Sequence, residues 1–300
     1  MRGTGYIGRF APSPTGPLHA GSLVAALASY LDARVHHGQW LLRIEDVDEG
    51  RTVAGAGAAA LALLARLGMH WDGEVLWQSA RAALYQAAAG RLGPLVYPCG
   101  CNRREIADSR SAIAADGAVI YAGTCRHGLA PGRAARSLRL RVPEAPFDRI
   151  GFVDRFAGAV TAQLARDAGD FVLKRADGYW AYQLAVVVDD AEQAVSDVVR
   201  GDDLLDSTAR QIYLQQLLAL PTPRYLHVPV LRNALGEKYS KQTGAPALTP
   251  AGQAEAVGAL MAAAQALGLG LSPCARLADF WRAAVPAWAR QLDVRGADAR

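Results

Sequence analysis

The sequence predicts an α/β fold: a parallel sheet, interrupted by a small cysteine-bearing insertion and followed by a short helical region. Three observations predict it. Strand-like and helix-like patterns alternate through the first 68 residues. A stretch rich in proline, glycine and arginine, holding three of the four cysteines, then breaks that alternation. After Gly244 the chain is alanine-rich and helical in pattern. Alternating strands and helices with right-handed crossovers are the signature of a parallel sheet.

Each element has its own warrant. Tyr6-Ile7-Gly8-Arg9-Phe10 reads as a short strand, stopped by Pro12, Pro14, Gly16 and Pro17. A helix starts near His19, with Leu23, Leu27, Tyr30 and Leu31 on one face, and ends near His36-His37-Gly38. Residues 40–44 make a buried strand that runs into Glu45-Asp46-Val47-Asp48, and residues 53–68 a second helix closed by Gly68. From Pro94 to about Arg166 the texture is that of an insertion, in which 137–142 alternates like an antiparallel strand. The sheet is expected to resume with strands at 171–175 and 182–188, followed by a helix at 208–219 and a strand at 226–232. The expected division is 1–93 and 167–244 for the two halves of the sheet domain, 94–166 for the insertion and 245–300 for the helical region.

Composition bounds the function without choosing it. Three hundred residues suffice for one large or two modest domains, and 51% apolar with 20% charged residues is ordinary for a globular protein. A net charge of +4 permits a polyanionic partner but does not demand one. The N-terminus has no apolar core of a signal peptide, and the longest apolar stretch, 54–65, is shorter than the ~20 residues that span a bilayer. The expectation is a cytoplasmic protein with no membrane partner. In a reducing compartment, three cysteines between Cys99 and Cys125 suggest metal rather than disulfides.

Three constellations carry chemistry. Ala11-Pro12-Ser13-Pro14-Thr15-Gly16-Pro17-Leu18-His19-Ala20-Gly21-Ser22 lies between a strand and a helix. A helix N-terminus suits a phosphate, His19 in the first turn can donate to it, and Gly21 removes a side chain where a nucleotide could lie against the backbone. Glu237-Lys238-Tyr239-Ser240-Lys241-Gln242-Thr243-Gly244 sets two lysines three apart around a serine, suited to a triphosphate tail. Cys99-Gly100-Cys101 with Cys125 supplies three thiolates, and a tetrahedral site needs a fourth ligand. By chemistry His127 is the ordinary choice. Cys274 stands apart and reads as core.

The first two strings, taken together, resemble the HIGH-like and KMSKS-like motifs of class I aminoacyl-tRNA synthetases. Arg9-Phe10-Ala11-Pro12-Ser13 and Leu42-Arg43-Ile44-Glu45-Asp46-Val47-Asp48 resemble the glutamyl/glutaminyl branch, and the likeness runs through Tyr182 and Val199-Arg200-Gly201-Asp202-Asp203 to about Gly244. The resemblance implies a Rossmann-like catalytic domain. It implies that Arg9, Phe10, Ala11, Pro12, Ser13, Glu45, Tyr182 and Arg200 hold L-glutamate. His19, Gly21, Lys238, Ser240 and Lys241 would hold ATP with its Mg2+, with His19 and Lys241 on the phosphates. The physics agrees: Arg9 and Arg200 can each pair bidentately with a carboxylate, and Glu45 can take the ammonium.

About 56 residues follow Gly244, which implies a truncated stem-contact-like region and no anticodon-binding domain. That layout, with the Cys-x-Cys, Tyr and Cys set, resembles the glutamyl-Q tRNA(Asp) synthetases, truncated paralogues of the glutamyl enzymes. This likeness implies one structural zinc ion on Cys99, Cys101, Tyr121 and Cys125, tRNA-independent activation of glutamate, and its transfer to queuosine in tRNA(Asp) by a monomer. A compact glutamyl-tRNA synthetase charging the 3′ end, and a non-catalytic tRNA-binding paralogue, are the alternative readings.

Overall fold

The computed structural model describes residues 5–108, 112–113, 117, 119–231 and 246–298. The chain opens with strand β1 (Ile7–Phe10), helix α1 (Ala20–Val35), β2 (Gln39–Ile44), α2 (Ala56–Arg66), β3 (Leu76–Trp77) and α3 (Ala82–Arg91). The insertion region follows with β4 (Val96–Cys99), α4 (Arg103–Asp108), β5 (Ala112–Ile113), β6 (Val119–Ile120), β7 (Ser137–Leu140), β8 (Arg149–Asp154), β9 (Gly158–Gln163) and the single turn α5 (Leu164–Asp167). Then come β10 (Phe171–Lys174), α6 (Tyr182–Glu192), β11 (Asp197–Gly201), α7 (Leu205–Leu217), β12 (Arg224–Val228), α8 (Gln253–Ala266) and α9 (Leu277–Asp298).

β1 pairs in parallel with β2 and β2 with β3, while β11 pairs in parallel with β12. The Ser196 amide donates to the Ile7 carbonyl at 2.9 Å, which sets the start of β11 beside the start of β1. The C-terminal ends of β1, β2, β11 and β12 therefore open onto one side, as in any parallel α/β sheet that binds a ligand. Helix α1 is entered through the N-cap His19 and left through His37, whose φ of 52° lies in the left-handed region. Gly38 follows because a Cβ there would fall 2.3 Å from the Tyr6 carbonyl oxygen. Leu23, Leu27 and Leu31 of α1 are buried, and α8 and α9 pack with α1 into the same core.

Two segments differ from the sequence expectation. Residues 182–188, expected as a strand, are the first two turns of α6. Leu184, Ala185, Val186 and Val187 are all buried, so this helix is covered on most sides and its Val-rich run imitates a buried strand. β10 is a strand, but it pairs antiparallel with β7 rather than joining the parallel sheet, and β7 also pairs antiparallel with β4. The β8–β9 hairpin meets β12 at Tyr225.

A buried carboxylate fastens this core. Asp32 of α1 accepts from the Tyr6 hydroxyl at 2.6 Å, from both terminal nitrogens of Arg155 at 2.6 and 2.9 Å, and from the Trp288 indole at 3.1 Å. Burial pushes its pKa up, but the Arg155 hydrogen bonds and charge outweigh burial and hold the carboxyl below its ordinary range. A lowered folded-state pKa gives stability that is complete above the ordinary carboxylate range and is lost as pH falls through the folded value. Asp32→Ala, which leaves Arg155 only its longer 3.5 Å contact to Asp197 and strands the Tyr6 and Trp288 donors, is expected to lower unfolding stability by about 3 kcal/mol in urea titrations at neutral pH. The gap between variant and parent should narrow as the pH drops below the carboxylate range.

Candidate active site

A cleft of about 440 Å3 lies at the C-terminal ends of the parallel strands. Arg9, Phe10, Ala11 and Ser13 enter from β1, Glu45 from the end of β2, Tyr182 from α6, and Arg200 and Gly201 from β11. His19 and Gly21 line it from the start of α1. The structure thus brings together every described residue of the expected substrate and nucleotide sites except Pro12. Pro12 is not a lining residue; its carbonyl accepts from the Glu45 amide at 3.0 Å and so fixes where Glu45 leaves the strand. Lys238, Ser240 and Lys241 lie outside the described residues. Their described neighbours are at the cleft: Leu231 lines it, and Ala247 bridges to His19.

His19 has a defined chemical state. Its Nδ1 accepts the Ser22 amide at 3.3 Å as the helix cap, so the neutral ring carries its proton on Nε2. A neutral donor at a helix N-terminus suits an anion.

The floor of the cleft is a buried charge network. Arg9 Nε donates to Asp190 Oδ1 at 3.0 Å, and Arg43 donates to the same oxygen at 2.7 Å. Arg43 also stands 3.5 Å from Glu45. Next to it, Asp189 accepts from Gln78 at 2.7 Å, Arg81 at 2.7 Å and Tyr85 at 2.8 Å. Burial raises the pKa of Asp190, but the charges of Arg9 and Arg43 and their hydrogen bonds more than reverse this, leaving it below the usual range. Glu45 behaves in the opposite way. Burial dominates over the attraction of Arg43 and Arg9 and, with Asp190 and Asp189 nearby, pushes it up to about 7. Its Oε1 is buried without a hydrogen-bond partner, so the site lacks one donor that a ligand can bring.

Arg200 is held differently. Nε donates to His227 Nε2 at 3.0 Å, one terminal nitrogen to Tyr182 Oη at 3.3 Å and the other to Thr208 Oγ1 at 2.8 Å. Among the described residues it makes no ion pair. The Nε edges of Arg9 and Arg200 are both occupied by protein acceptors, so the two-pronged carboxylate pairing expected of each is restricted to the remaining N–H groups.

Residues 99–125 form a second centre. The ligand atoms of Cys99, Cys101 and Cys125 lie within 4.8 Å of one another, and all three are buried. Tyr121 Oη is 3.4 Å from Cys99 Sγ and 3.5 Å from Cys101 Sγ, while Cys101 and Cys125 sulfurs are 3.7 Å apart. Ligands on a common tetrahedral centre, with thiolates at about 2.3 Å and an oxygen at about 2.0 Å, stand about 3.8 Å (S···S) and about 3.5 Å (S···O) apart. Three contacts therefore have the lengths of the edges of such a tetrahedron. His127 is exposed and is not among the gathered ligand atoms. Burial raises the Cys99 thiol, but its hydrogen bonds with Tyr121, the Cys101 amide and Arg139 outweigh this and bring it down to about 7. The Arg139 guanidinium lies 3.9 Å over the Tyr121 ring. Cys274 is half-buried against the main core, away from this cluster.

Sequence reasoning missed Arg43, Asp189, Asp190, Arg51, His227 and Asp154. Arg43 stood inside a quoted motif without a role. Asp189-Asp190 after three valines was a usable signal, since adjacent acids on an apolar element need partners when buried.

A family model described as the catalytic domain of class I tRNA synthetases (E and Q) matches residues 7–261. A curated protein of Janthinobacterium sp. (strain Marseille), named glutamyl-Q tRNA(Asp) synthetase, is 64% identical over 96% of this chain and 98% of its own length. One of the same name from Verminephrobacter eiseniae is 60% identical over 97% and 99%. Among solved structures, a glutamate tRNA ligase from Elizabethkingia meningosepticum in complex with its amino acid aligns with a TM-score of 0.68 at 28% identity, covering 80% of this chain. The chain spans about half the length of that ligase, 52%.

The cysteine cluster makes a prediction of its own. Elemental analysis of protein purified without chelators is expected to find one equivalent of a thiophilic metal per chain, and Cys99→Ser, Cys101→Ser or Cys125→Ser should each release it. Metal-free protein with a normally folded insertion would reduce the cluster to buried thiols.

Proposed function

The chain belongs to the class I tRNA synthetases of the glutamate and glutamine type, among the glutamyl-Q tRNA(Asp) synthetases; on that premise we propose that it activates L-glutamate with ATP and transfers it to queuosine at the wobble position of tRNA(Asp). One juxtaposition carries the first half of this reading. A single cleft holds a buried carboxylate, Glu45, whose Oε1 stands 3.5 Å from Arg43 but has no hydrogen-bond partner, and an arginine with no ionic partner among the described residues, Arg200. These are complementary to the ammonium and a carboxylate of an amino acid. The names of near-full-length relatives support the second half.

In this reading Arg9, Phe10, Ala11, Pro12, Ser13, Glu45, Tyr182 and Arg200 form the glutamate site, Pro12 through its carbonyl. His19, Gly21, Lys238, Ser240 and Lys241 form the ATP site. The glutamate α-carboxylate oxygen attacks the α-phosphorus in line; the bond to the β-phosphate bridging oxygen breaks and pyrophosphate leaves. His19 offers Nε2–H to the phosphates at the N-terminus of α1, and Lys238 and Lys241 neutralise the departing charge, the Mg2+ that accompanies ATP sharing it. Catalysis is mostly positioning and charge stabilisation. A hydroxyl of the cyclopentene diol then attacks the mixed anhydride and AMP departs. Cys99, Cys101, Tyr121 and Cys125 would hold one structural zinc, keeping the insertion folded. The division into 1–93, 94–166, 167–244 and 245–300 belongs to this proposal, with β10 added to the insertion's sheet.

Glutamate is expected to support ATP–pyrophosphate exchange without tRNA, and glutamine poorly. In acylation assays tRNA(Asp) bearing queuosine should accept glutamate and queuosine-free tRNA(Asp) should not. Efficient charging of tRNA(Glu) at its 3′ end would instead identify a compact glutamyl-tRNA synthetase, and no exchange at all a non-catalytic relative.

Glu45 adds a pH dependence. Its raised pKa, about 7, means that the carboxyl is about half protonated at neutrality and mostly neutral a unit below, and a neutral carboxyl takes an ammonium poorly. The KM for glutamate should therefore rise as pH falls below 7, by up to about tenfold per unit. Glu45→Gln should weaken glutamate most above pH 7, where the parent carboxyl is ionised, and flatten that rise. A KM that is level between pH 8 and 6 would remove the ammonium from Glu45.

A further inference from the structure

Behind Arg200, and outside the cleft lining, stand two buried groups that the reaction itself does not use. His227 and Asp154 both have fully buried side chains. His227 Nε2 faces Arg200 Nε at 3.0 Å, and His227 Nδ1 faces Asp154 Oδ2 at 2.7 Å. The guanidinium Nε carries a hydrogen and has no acceptor capacity, so His227 Nε2 must be the acceptor. The ring proton then sits on Nδ1 and is donated to Asp154. Burial lowers the His227 pKa and the Arg200 charge lowers it further, against the pull of Asp154, so the ring is neutral.

Asp154 is fixed in turn. Oδ1 accepts the amides of Phe156 at 2.9 Å and Ala157 at 2.8 Å in the β8–β9 turn, and Oδ2 accepts the His227 amide at 3.1 Å beside the ring contact. The carboxylate cannot rotate without stranding backbone donors. Its position reaches Arg200 through the His227 ring.

We propose that the Asp154–His227 pair is a positioning relay that orients the Arg200 guanidinium while leaving its charge unspent for a substrate carboxylate. Arg9 and Arg43 make the contrast: each sits directly on Asp190, so each has its charge matched by protein. Among the described residues Arg200 has only neutral hydrogen-bond partners, His227, Tyr182, Thr208 and the Leu204 carbonyl. A carboxylate placed directly on Nε would orient Arg200 equally well, but it would neutralise the cation and compete with the ligand. The imidazole keeps the carboxylate one ring away. The relay is thus specificity-determining, acting through Arg200, and it rests on the reading that Arg200 meets a carboxylate of glutamate.

The test is steady-state pyrophosphate exchange with full-length variants, reading KM for glutamate and for ATP separately. His227→Phe should raise the glutamate KM about tenfold or more, the scale of a lost charge-assisted hydrogen bond, with ATP KM changed less than about twofold. His227→Gln, whose amide can accept from Arg200 and donate to Asp154, should recover most of that loss. Asp154→Asn is the sharper variant. Its Oδ1 keeps the turn amides, so its NH2 takes the place of Oδ2, gives up the His227 amide, and faces Nδ1, which forces the ring proton onto Nε2 and sets donor against donor at Arg200. It should match His227→Phe in glutamate KM. Glutamate KM near the parent value in His227→Phe, or equal losses for glutamate and ATP, overturns the relay. Arg200→Ala separates the two levels of inference. If it impairs glutamate while His227→Phe does not, the relay alone fails; if it leaves glutamate KM unchanged, the placement of glutamate on Arg200 fails and takes the relay with it.

Discussion

Asp190 is the group on which the site depends. One carboxylate on α6 receives Arg9 from β1 and Arg43 from β2, partners 181 and 147 residues away in sequence. All three side chains are buried. A cation in that interior without an anion would cost several kcal/mol, and so would the anion without its cations. The network is therefore all-or-nothing, which makes α6 dock in one register against the two strands. Docking in that register also brings Tyr182, at the start of the same helix, to Arg200 on β11. One electrostatic requirement thus joins both halves of the sheet domain and sets the walls of the cleft.

The same requirement explains which features were legible in the sequence. Local signals were sufficient for β1, α1, β2 and α7, because prolines, a capping histidine and leucine spacing act within a few residues. They failed at 182–188. Three consecutive valines carry high strand propensity, and the helix they form is buried on most sides, so no polar face disclosed its period. Asp189 and Asp190 close that run, and their burial is tolerated only because arginines arrive from elsewhere in the chain. The site showed the same division. Arg9, Glu45, Tyr182 and Arg200 were legible because motif strings surround them. Arg43, Asp190, His227 and Asp154 were not, since each has meaning only through a partner that the fold supplies.

The cysteine cluster shows how position can differ from donor strength. By donor strength His127 is the natural fourth ligand, yet it is exposed and the side chain gathered with the three sulfurs is Tyr121. Tyr121 is buried, its oxygen sits at tetrahedral edge lengths from two sulfurs, and the Cys125 amide donates to that oxygen at 2.8 Å. Burial among the three sulfurs raises the phenol in the metal-free protein. A cation held by the three sulfurs would oppose that shift, and Arg139, whose guanidinium lies over the ring, would add to its effect. Asp170 ties this region to the rest, accepting from Tyr97 at 2.5 Å, from Arg126 at 2.6 and 2.7 Å and from the Val142 amide at 2.9 Å.

Charge balance across the cleft leads to a view of selectivity. Arg9, Arg43 and Arg81 face Asp190, Glu45 and Asp189, so this group is neutral when Glu45 is ionised. Arg200 adds one positive charge that no described residue pairs. A zwitterionic amino acid with an uncharged side chain brings no net charge and leaves that excess in place. Glutamate brings one negative charge and removes it. If Arg200 meets the side-chain carboxylate, glutamine, of nearly the same shape, would leave it facing an amide in an interior where an unpaired cation costs most. On the proposed reading, discrimination falls on Arg200, whose hydrogen-bond partners among the described residues are neutral. Arg9, already paired with Asp190, fixes the floor of the cleft and on the same reading offers the ligand only its remaining N–H groups.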